Sequence, residues 1–189
     1  MKKWSEIRQG IINKLFMDEE EVNSENENYA SKFAFFANEC LVNIANGVKP
    51  RIGVFTVETD KDNTEQQMPD DFLSFADMVN YCNGEPDPTI VYLGDKNIVL
   101  PQKGIYHIFY NALWEPITED YMNDQEQPDL PIDQSVLNCI PSYVAAQILA
   151  EDDVQRSTIL KNEYELMLSR LDTNIMYQSN SFKSIGGWY

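Results

Sequence analysis

Few residue types in this chain are suited to making or breaking covalent bonds. The 189-residue sequence has one histidine, His107, and three cysteines, Cys40, Cys82 and Cys139, which lie far apart and form no CxxC pair. His107 lies in an aromatic and β-branched run typical of a strand, where a single histidine is more often structural than catalytic. The sequence contains no glycine-rich phosphate loop, no GxSxG motif and no metal-spaced Cys/His cluster. We therefore predict no enzyme activity and no cofactor.

The remaining candidates for chemistry are weak. The cysteines have apolar neighbours and an odd number, which predicts reduced, buried thiols in a cytosolic setting and not a disulfide framework. The spacing of Asp60, Asp62 and Thr64 resembles part of a calcium loop. It lacks the glycine and the closing glutamate of an EF-hand, so we expect no metal there. Carboxylate pairs are abundant, and a carboxylate-based hydrolase is formally open.

The charge of the chain is strongly acidic and unevenly distributed. Thirty-one Asp and Glu against 14 Lys and Arg give a net charge of −17, and residues 62 to 155 hold 18 of the acids but only two bases. Nucleic-acid binding depends on clustered Lys and Arg, so this composition argues against it. A surface that repels phosphate would suit a conduit for moving DNA. The simpler interpretation is a surface that keeps the protein soluble. No apolar run approaches the roughly 20 residues of a membrane span.

Helical periodicity predicts the framework that would position these residues. Apolar spacing predicts a helix over residues 4 to 16, a longer one over 28 to 46 that Gly47 ends, and a pair of helices over 134 to 172. Pro141 either lies in the first turn of a helix or kinks one already under way, and the first option is slightly favoured.

Alternating residues predict a small antiparallel sheet in the middle of the chain. Residues 51 to 59 read as a strand, the turn at residues 94 to 96 joins a hairpin, and residues 104 to 114 supply a further strand. Residues 72 to 82 follow two aspartates and show helical spacing, which predicts a short helix. The faces of the strand at 104 to 114 are Tyr106, Ile108, Tyr110 and Ala112 on one side and Ile105, His107, Phe109 and Asn111 on the other. Neither face is wholly polar, so we expect both to be covered.

Together these elements predict an α+β fold with a mainly helical body, a small antiparallel β-sheet insertion and an extended C-terminal arm. We expect a single domain, residues 1–189. Its segments are the N-terminal helices (1–47), an acidic strand-rich insertion (48–133), the C-terminal helical pair (134–172) and the arm (173–189). Residues 18 to 28 and 115 to 133 read as acidic loops.

The C-terminal arm is too polar to build a core and too aromatic for a plain disordered tail. Such a segment is a candidate for ordering against a neighbouring subunit or another partner, and packing back on its own domain is an equal alternative. The predicted partner-binding residues are Tyr177, Phe182, Ile185, Trp188 and Tyr189.

Three stretches resemble the head-to-tail connector, or adaptor, proteins of tailed bacteriophages. They are "NYASKFAFFANECLVNIANG" (28–47), "IYHIFYNALWEPIT" (105–118) and "IPSYVAAQILAEDDVQRSTILKNEYELMLSRL" (140–171). The third is the most informative, because an apolar helix opened by Pro-x-Tyr is followed by a short acidic break and a second helix. The strand-rich middle departs from the small all-helical connectors, which leaves the position within the neck open.

The resemblance implies a structural virion protein without enzyme activity, located in the head-tail neck and assembled in the host cytoplasm. About twelve copies would form a ring beneath the portal protein, with a downstream neck or tail protein as the next partner. DNA would pass through without specific binding, and no membrane is involved. The hypothesised acidic channel or rim residues are Glu115, Glu119, Asp120, Asp124, Glu126 and Asp129. The alternatives are a stopper or tail-completion protein of the same neck, or an acidic DNA-mimic inhibitor.

Overall fold

A computed structural model describes residues 2–16, 27–86, 89–122 and 128–181 of the chain. The chain forms two compact units. Unit 1 consists of Met1–Lys49 and Glu115–Tyr189, and unit 2 of Pro50–Trp114.

Unit 1 is helical. Its helices are α1 (Trp4–Leu15), α2 (Glu27–Gly47), α3 (Glu119–Met122), α4 (Gln134–Leu137), α5 (Ile140–Ile148) and α6 (Val154–Ser181). Helices α1, α2 and α6 all pack against α5. Five consecutive residues of α5, from Ser142 to Ala146, are buried. A helix that is buried on all sides is a core element, so α5 is the centre of this unit.

The packing of α1 on α5 depends on a small residue. A Cβ atom at Gly10 would lie 3.1 Å from Cγ of Pro141, so the glycine admits close contact between the two helices. Pro141 lies in the first turn of α5, where its missing N–H is not needed. The favoured placement of this proline is therefore confirmed.

The predicted ends of α1 and α2 agree with the structure, and the predicted end of α6 does not. α1 and α2 match the predicted helices within one residue, and α2 ends at Gly47 as expected. α6 continues to Ser181, so the expected end near residue 172 is wrong. Once a helix has nucleated, each further residue adds its own backbone hydrogen bond. α6 can therefore continue beyond the last residue of its apolar stripe. Of the predicted acidic loop at 18 to 28, residues 27 and 28 begin α2 and 18 to 26 lie outside the described residues.

Unit 2 consists of two antiparallel sheets. Its strands are β1 (Arg51–Thr59), β2 (Thr64–Gln67), β3 (Phe72–Phe75), β4 (Tyr81–Cys82), β5 (Glu85–Pro86), β6 (Val91–Gly94), β7 (Asn97–Leu100) and β8 (Gly104–Ala112). Sheet A has the order β1-β8-β4-β5, with β3 also paired to β8, and sheet B has the order β2-β7-β6. β1 pairs with β8 along its full length, from Arg51 opposite Ala112 to Thr59 opposite Gly104.

The core of unit 2 is formed by residues from both sheets. β8 contributes Tyr106, Ile108, Tyr110 and Ala112, which alternate along the strand and are all buried. β7 contributes Ile98 and Leu100. The alternation places the core on one face of β8.

The predicted mainly helical body with a small sheet insertion is wrong. The protein is α+β, with two antiparallel sheets that together hold eight strands in the described residues. The hairpin of β6 and β7 turns at Asp95 and Lys96, both with positive φ, as the turn residues predicted. It belongs to sheet B, whereas β8 belongs to sheet A. The structure has two sheets instead of the single expected one, because the hairpin pairs with β2 and not with β8.

The predicted short helix over 72 to 82 is also wrong, and the reason is a β-bulge. Residues 72 to 75 form β3 on β8, with a register shift between Phe72 and Ser74. An extra residue in a strand lets side chains three positions apart turn to the same side. Phe72 and Phe75 are therefore in contact, with ring centroids 5.4 Å apart, although their spacing is typical of a helix.

The expectation that both faces of β8 are covered fails on one face. Tyr106 and Ile108 are fully buried, whereas Ile105, on the opposite face, is 44% exposed. Sheet A thus has a buried inner face and an outer face that is open at several positions.

Candidate functional site

The outer face of sheet A carries exposed apolar residues on three neighbouring strands. Val54 lies opposite Phe109, and Tyr81 lies opposite His107 of the same strand, β8. Opposite residues of antiparallel strands share a face of the sheet. The outer face is defined by Ile52, Val54, Tyr81, Ile105 and Phe109. Ile52 and Val54 are about half exposed, and the rings of Tyr81 and Phe109 lie 6.4 Å apart in an edge-on arrangement.

One edge of sheet A is also open. β1 stands at the end of the strand order, and β8 is its only partner among the described strands. The strand has nine residues and no proline, and its only charged side chains are Arg51 and Glu58. Proteins commonly protect an edge of this length with charges, proline or a covering element. β1 therefore presents a row of backbone groups that suits pairing with another chain.

His107 lies on the outer face and has a structural partner. Its Nδ1 atom is 3.0 Å from Oγ1 of Thr56, directly opposite on β1. Cross-strand bonds of this kind stabilise a sheet. This contact supports the structural role that the sequence suggested for the histidine.

A polar cluster fixes the end of β1 in unit 2. Asp71 forms an ion pair with Arg51 and accepts a hydrogen bond of 3.0 Å from the hydroxyl of Tyr110. Burial, followed by that hydrogen bond, raises the pKa of Tyr110 to about 12. A Cβ atom at Gly53 would overlap the Tyr110 ring, so only glycine leaves room for the ring over the strand. Asp71 is one of the two aspartates that precede the predicted helix; here it holds two strands together.

Unit 1 contains an open groove between α2, α5 and α6, with a volume of about 510 Å³. Tyr143, Ala146 and Ala150 line it from α5 and the residues that follow, and Asn43 lines it from α2. Lys161, Glu165 and Leu168 line it from α6. We call this surface the α5 groove. Its volume lies within the range of about 300 to 1,000 Å³ typical of ligand-sized clefts.

The aromatic lining of the α5 groove is held rigidly and is uncharged. The rings of Tyr143 and Tyr164 lie 5.0 Å apart, and Nδ2 of Asn43 donates a hydrogen bond of 3.0 Å to the Tyr143 hydroxyl. Burial raises the pKa of Tyr143 to about 12, and it raises the pKa values of Tyr164 and Cys40 well above their usual values. These groups stay protonated at neutral pH, so they present neutral rings and donors and no nucleophile.

Contacts with α1 fix the position of α6. Nζ of Lys14 lies 2.7 Å from a carboxylate oxygen of Glu163. The Arg156 guanidinium donates to the backbone carbonyl of Lys14 and stands 3.9 Å from the ring centroid of Phe16. On the α5 side, Oγ of Ser157 donates a hydrogen bond of 2.8 Å to the carbonyl of Ala146. α6 is therefore held from both sides along its first turns.

The structure places part of the predicted acidic channel or rim set. Glu115, Glu119, Asp120 and Asp129 all lie in unit 1 and are exposed. Glu119 and Asp120 begin the short helix α3. Asp124 and Glu126 lie outside the described residues. Exposure of these four residues suits a rim.

The predicted partner-binding residues lie at or beyond the end of the described chain. Tyr177 belongs to α6. Phe182, Ile185, Trp188 and Tyr189 lie outside the described residues. This prediction remains a prediction.

The described residues show no arrangement suited to holding a metal. Over 2–16, 27–86, 89–122 and 128–181 no three histidine, cysteine or carboxylate side chains are grouped for that purpose. In the calcium-like loop, Oδ1 of Asp62 accepts a hydrogen bond of 2.9 Å from the backbone of Lys103. All three cysteines are buried and free, which confirms the prediction of buried thiols.

Two candidate surfaces were missed by sequence reasoning. The outer face of sheet A had a usable signal, because Ile52 and Val54 alternate with Phe55 and Val57 and make both faces of the strand apolar. The α5 groove had no such signal, since it depends on how far apart α2 and α6 pack. The apolar composition of α5 indicates that the helix is buried. It does not indicate the open space beside the helix.

No protein-family model matches the chain, and no curated protein matches it at a significant level. Separately, none of the helices in the described residues combines the length and the apolar character that crossing a bilayer requires.

Proposed function

We propose that this protein is a structural subunit of the head-to-tail connector of a tailed bacteriophage, in which copies form a ring beneath the portal around the DNA exit channel. The ring and its place in the neck are taken from the sequence resemblance of residues 28–47, 105–118 and 140–171. The observation that carries the proposal is the outer face of sheet A together with the edge of β1 that pairs with no other described strand.

These two features suit assembly because they would be a liability in a solitary chain. A nine-residue edge strand without proline, beside exposed Ile52 and Val54, favours association with another β-strand. Interface cores are depleted in charge and enriched in aromatic side chains. The outer face fits that description in its aromatic side chains, since Tyr81 and Phe109 lie on it; the one acid of β1, Glu58, lies opposite Ile105 near the end of the same face.

The charge of the chain is compatible with a channel for DNA. At −17 per copy, a ring of about twelve would carry on the order of two hundred negative charges. Such a ring would repel phosphate and let DNA move without sticking. The exposed carboxylates Glu115, Glu119, Asp120 and Asp129 are the described members of the proposed rim.

The test is the mass of the purified full-length protein, alone and mixed with portal rings, measured by native mass spectrometry and negative-stain electron microscopy. We expect closed rings or a portal complex for the unmodified protein. Val54→Lys should abolish them without altering the circular dichroism spectrum, because Val54 is 53% exposed and its replacement disturbs no core. The matched control is Val154→Lys, a valine that is 65% exposed in unit 1 and lies outside the outer face.

A protein that stays monomeric at all concentrations and binds no portal would overturn the proposal. If that monomer competed with DNA for a basic protein, the DNA-mimic alternative would replace it. If rings persist in the Val54→Lys variant, the outer face of sheet A is not part of the ring interface. Crosslinking in assembled particles would separate the adaptor from a stopper or tail-completion protein by the neighbour that is captured.

A further inference from the structure

We infer that the outer face of sheet A in one copy packs against the outward side of the β6–β7 hairpin in the next copy, so that unit 2 joins copies head to tail. We call that side the hairpin surface; it is defined by Val91, Leu93 and Val99. The inference deepens the proposed function by naming what the outer face of sheet A contacts, and it rests on that function for the closed ring. The contact between two copies is testable with the purified protein alone.

The order of the layers in unit 2 prevents the hairpin from covering the outer face of its own chain. Ile98 and Leu100 of β7 belong to the same core cluster as Tyr106 and Ile108 of β8, so sheet B lies against the inner face of sheet A. Tyr92 of β6 lies opposite Ile98 and shares that side of sheet B. The outer face of sheet A is on the far side of that sheet. A hairpin that covers it must therefore come from a second copy.

The hairpin surface is apolar and open to solvent. Val91 lies opposite Val99, and both side chains point away from the core because the neighbouring Ile98 points into it. Val91 and Leu93 are 51% and 55% exposed. The two strands, VYLG and NIVL, contain no charged residue, and Glu65 of β2 lies opposite Val99 at the margin. Contiguous exposed apolar side chains of this kind mark an interaction surface.

The two surfaces match each other in a chain that is otherwise strongly acidic. Copies that carry −17 each repel one another, so they should associate through surfaces that hold little charge. Each surface has one acid at its margin, Glu58 beside the outer face and Glu65 beside the hairpin surface. The aliphatic side chains of the hairpin can pack on the Tyr81 and Phe109 rings as two sheets pack face to face.

The positions of the two surfaces favour a head-to-tail contact over a twofold dimer. A ring requires each copy to present two different surfaces that complement each other. Unit 2 presents the outer face on the sheet A layer and the hairpin surface on the sheet B layer, which lie on opposite sides of its core. One copy can therefore use both surfaces at once, each with a different neighbour. A twofold dimer of outer faces would leave both hairpin surfaces exposed.

The test is complementation between two full-length variants. Val54→Lys places a charge on the outer face, and Leu93→Lys places one on the hairpin surface. Each variant alone should associate at least about tenfold more weakly than the parent protein in sedimentation velocity and native mass spectrometry. An equal mixture should form a heterodimer as tightly as the parent copies associate, and nothing larger. The reason is that the mixture combines one intact outer face with one intact hairpin surface.

Controls separate this result from misfolding. Val54 and Leu93 are both more than half exposed, so circular dichroism spectra of the variants should match the parent. Val91→Lys makes the same change at a second position of the hairpin surface and replaces Leu93→Lys if that variant fails to fold. Val154→Lys, in unit 1 and on neither surface, should change association less than about twofold. A mixture that stays monomeric, or a Leu93→Lys protein that associates like the parent, would overturn the inference.

The inference and the proposed function fail in different ways. A heterodimer in the mixture, without closed rings or a portal complex from the parent protein, would support the contact and refute the connector. Parent rings that persist unchanged in the Leu93→Lys variant would support the connector and refute the contact.

Discussion

Unit 1 and unit 2 differ in how completely each encloses its central element. In unit 1, α5 is surrounded by α1, α2 and α6, and Val144 and Ala145 have no exposed surface. In unit 2, β8 is buried on one face only, with Ile108 fully buried and Ile105 44% exposed. A helix closed in by three others completes a core by itself, whereas a sheet with one open face calls for another layer. The open surface of unit 2 is therefore the part of the molecule most in need of a partner.

The two faces of β8 provide the largest test of this difference. Ile108→Ala should destabilise the protein by about 3 kcal/mol, because it leaves a cavity among the buried residues of both sheets. Ile105→Ala is the matched control on the same strand and should cost less than about 1 kcal/mol in the isolated chain. Urea unfolding followed by circular dichroism measures both. Equal losses would show that the outer face is already covered within one chain.

The close contact in unit 2 gives the next largest effect. Gly53→Ala should cost about 2 kcal/mol, because the added methyl group displaces the Tyr110 ring and its hydrogen bond to Asp71. Gly47→Ala is the control in unit 1. A Cβ atom there meets nothing within 4 Å, and alanine is the better helix former, so this variant should be neutral or slightly more stable. A Gly53→Ala protein as stable as the parent would show that Tyr110 moves aside freely.

These residues also show what the sequence could and could not predict. Periodicity located α1, α2, β1 and the hairpin turn, because each repeats its pattern over a local stretch. It failed at Phe72 and Phe75, where a bulge gives a strand the spacing of a helix, and it failed to separate the two sheets, because β8 pairs with β1 from a distance of about fifty residues. The α5 groove could not be predicted from the sequence, because its volume depends on the spacing of α2, α5 and α6 and not on a local pattern of residues.

A helix cap in unit 1 supplies the third prediction. Asp133 caps α4 through Ser135 and forms an ion pair with Lys49. Burial opposes ionisation, but the hydrogen bonds from Lys49 and Ser135 and the charge of Lys49 outweigh it and lower the pKa of Asp133 to about 2. A depressed pKa stabilises the fold above the unfolded value near 4, and that contribution is lost as the pH falls toward 2.

Asp133→Asn should therefore lower the free energy of unfolding by about 1 kcal/mol at pH 7. The effect is no larger because the Asp133 side chain is 39% exposed and solvent screens its charge. The difference from the parent protein should shrink between pH 4 and pH 2, where the parent also loses its carboxylate. Thermal unfolding across this range checks the slope. Asp129→Asn, which removes an exposed carboxylate of the same unit, is the control for the loss of one negative charge. A pH-independent difference would mean that the cap acts without its charge.

The smallest effect concerns the attachment of α6 to α1. Residues of α6 form one side of the α5 groove. Lys14 and Glu163 are both partly exposed, so a double-mutant cycle of Lys14→Ala and Glu163→Ala should give a coupling energy of about 0.5 kcal/mol that weakens at high salt. The Arg156 contact with Phe16 and the Lys14 carbonyl is unaffected by either change. A cycle that gave no coupling would show that the ion pair is dispensable for the attachment of α6 to α1. A coupling energy well above about 1 kcal/mol would show that the closed core of unit 1 depends on its surface charges more than the burial of α5 suggests.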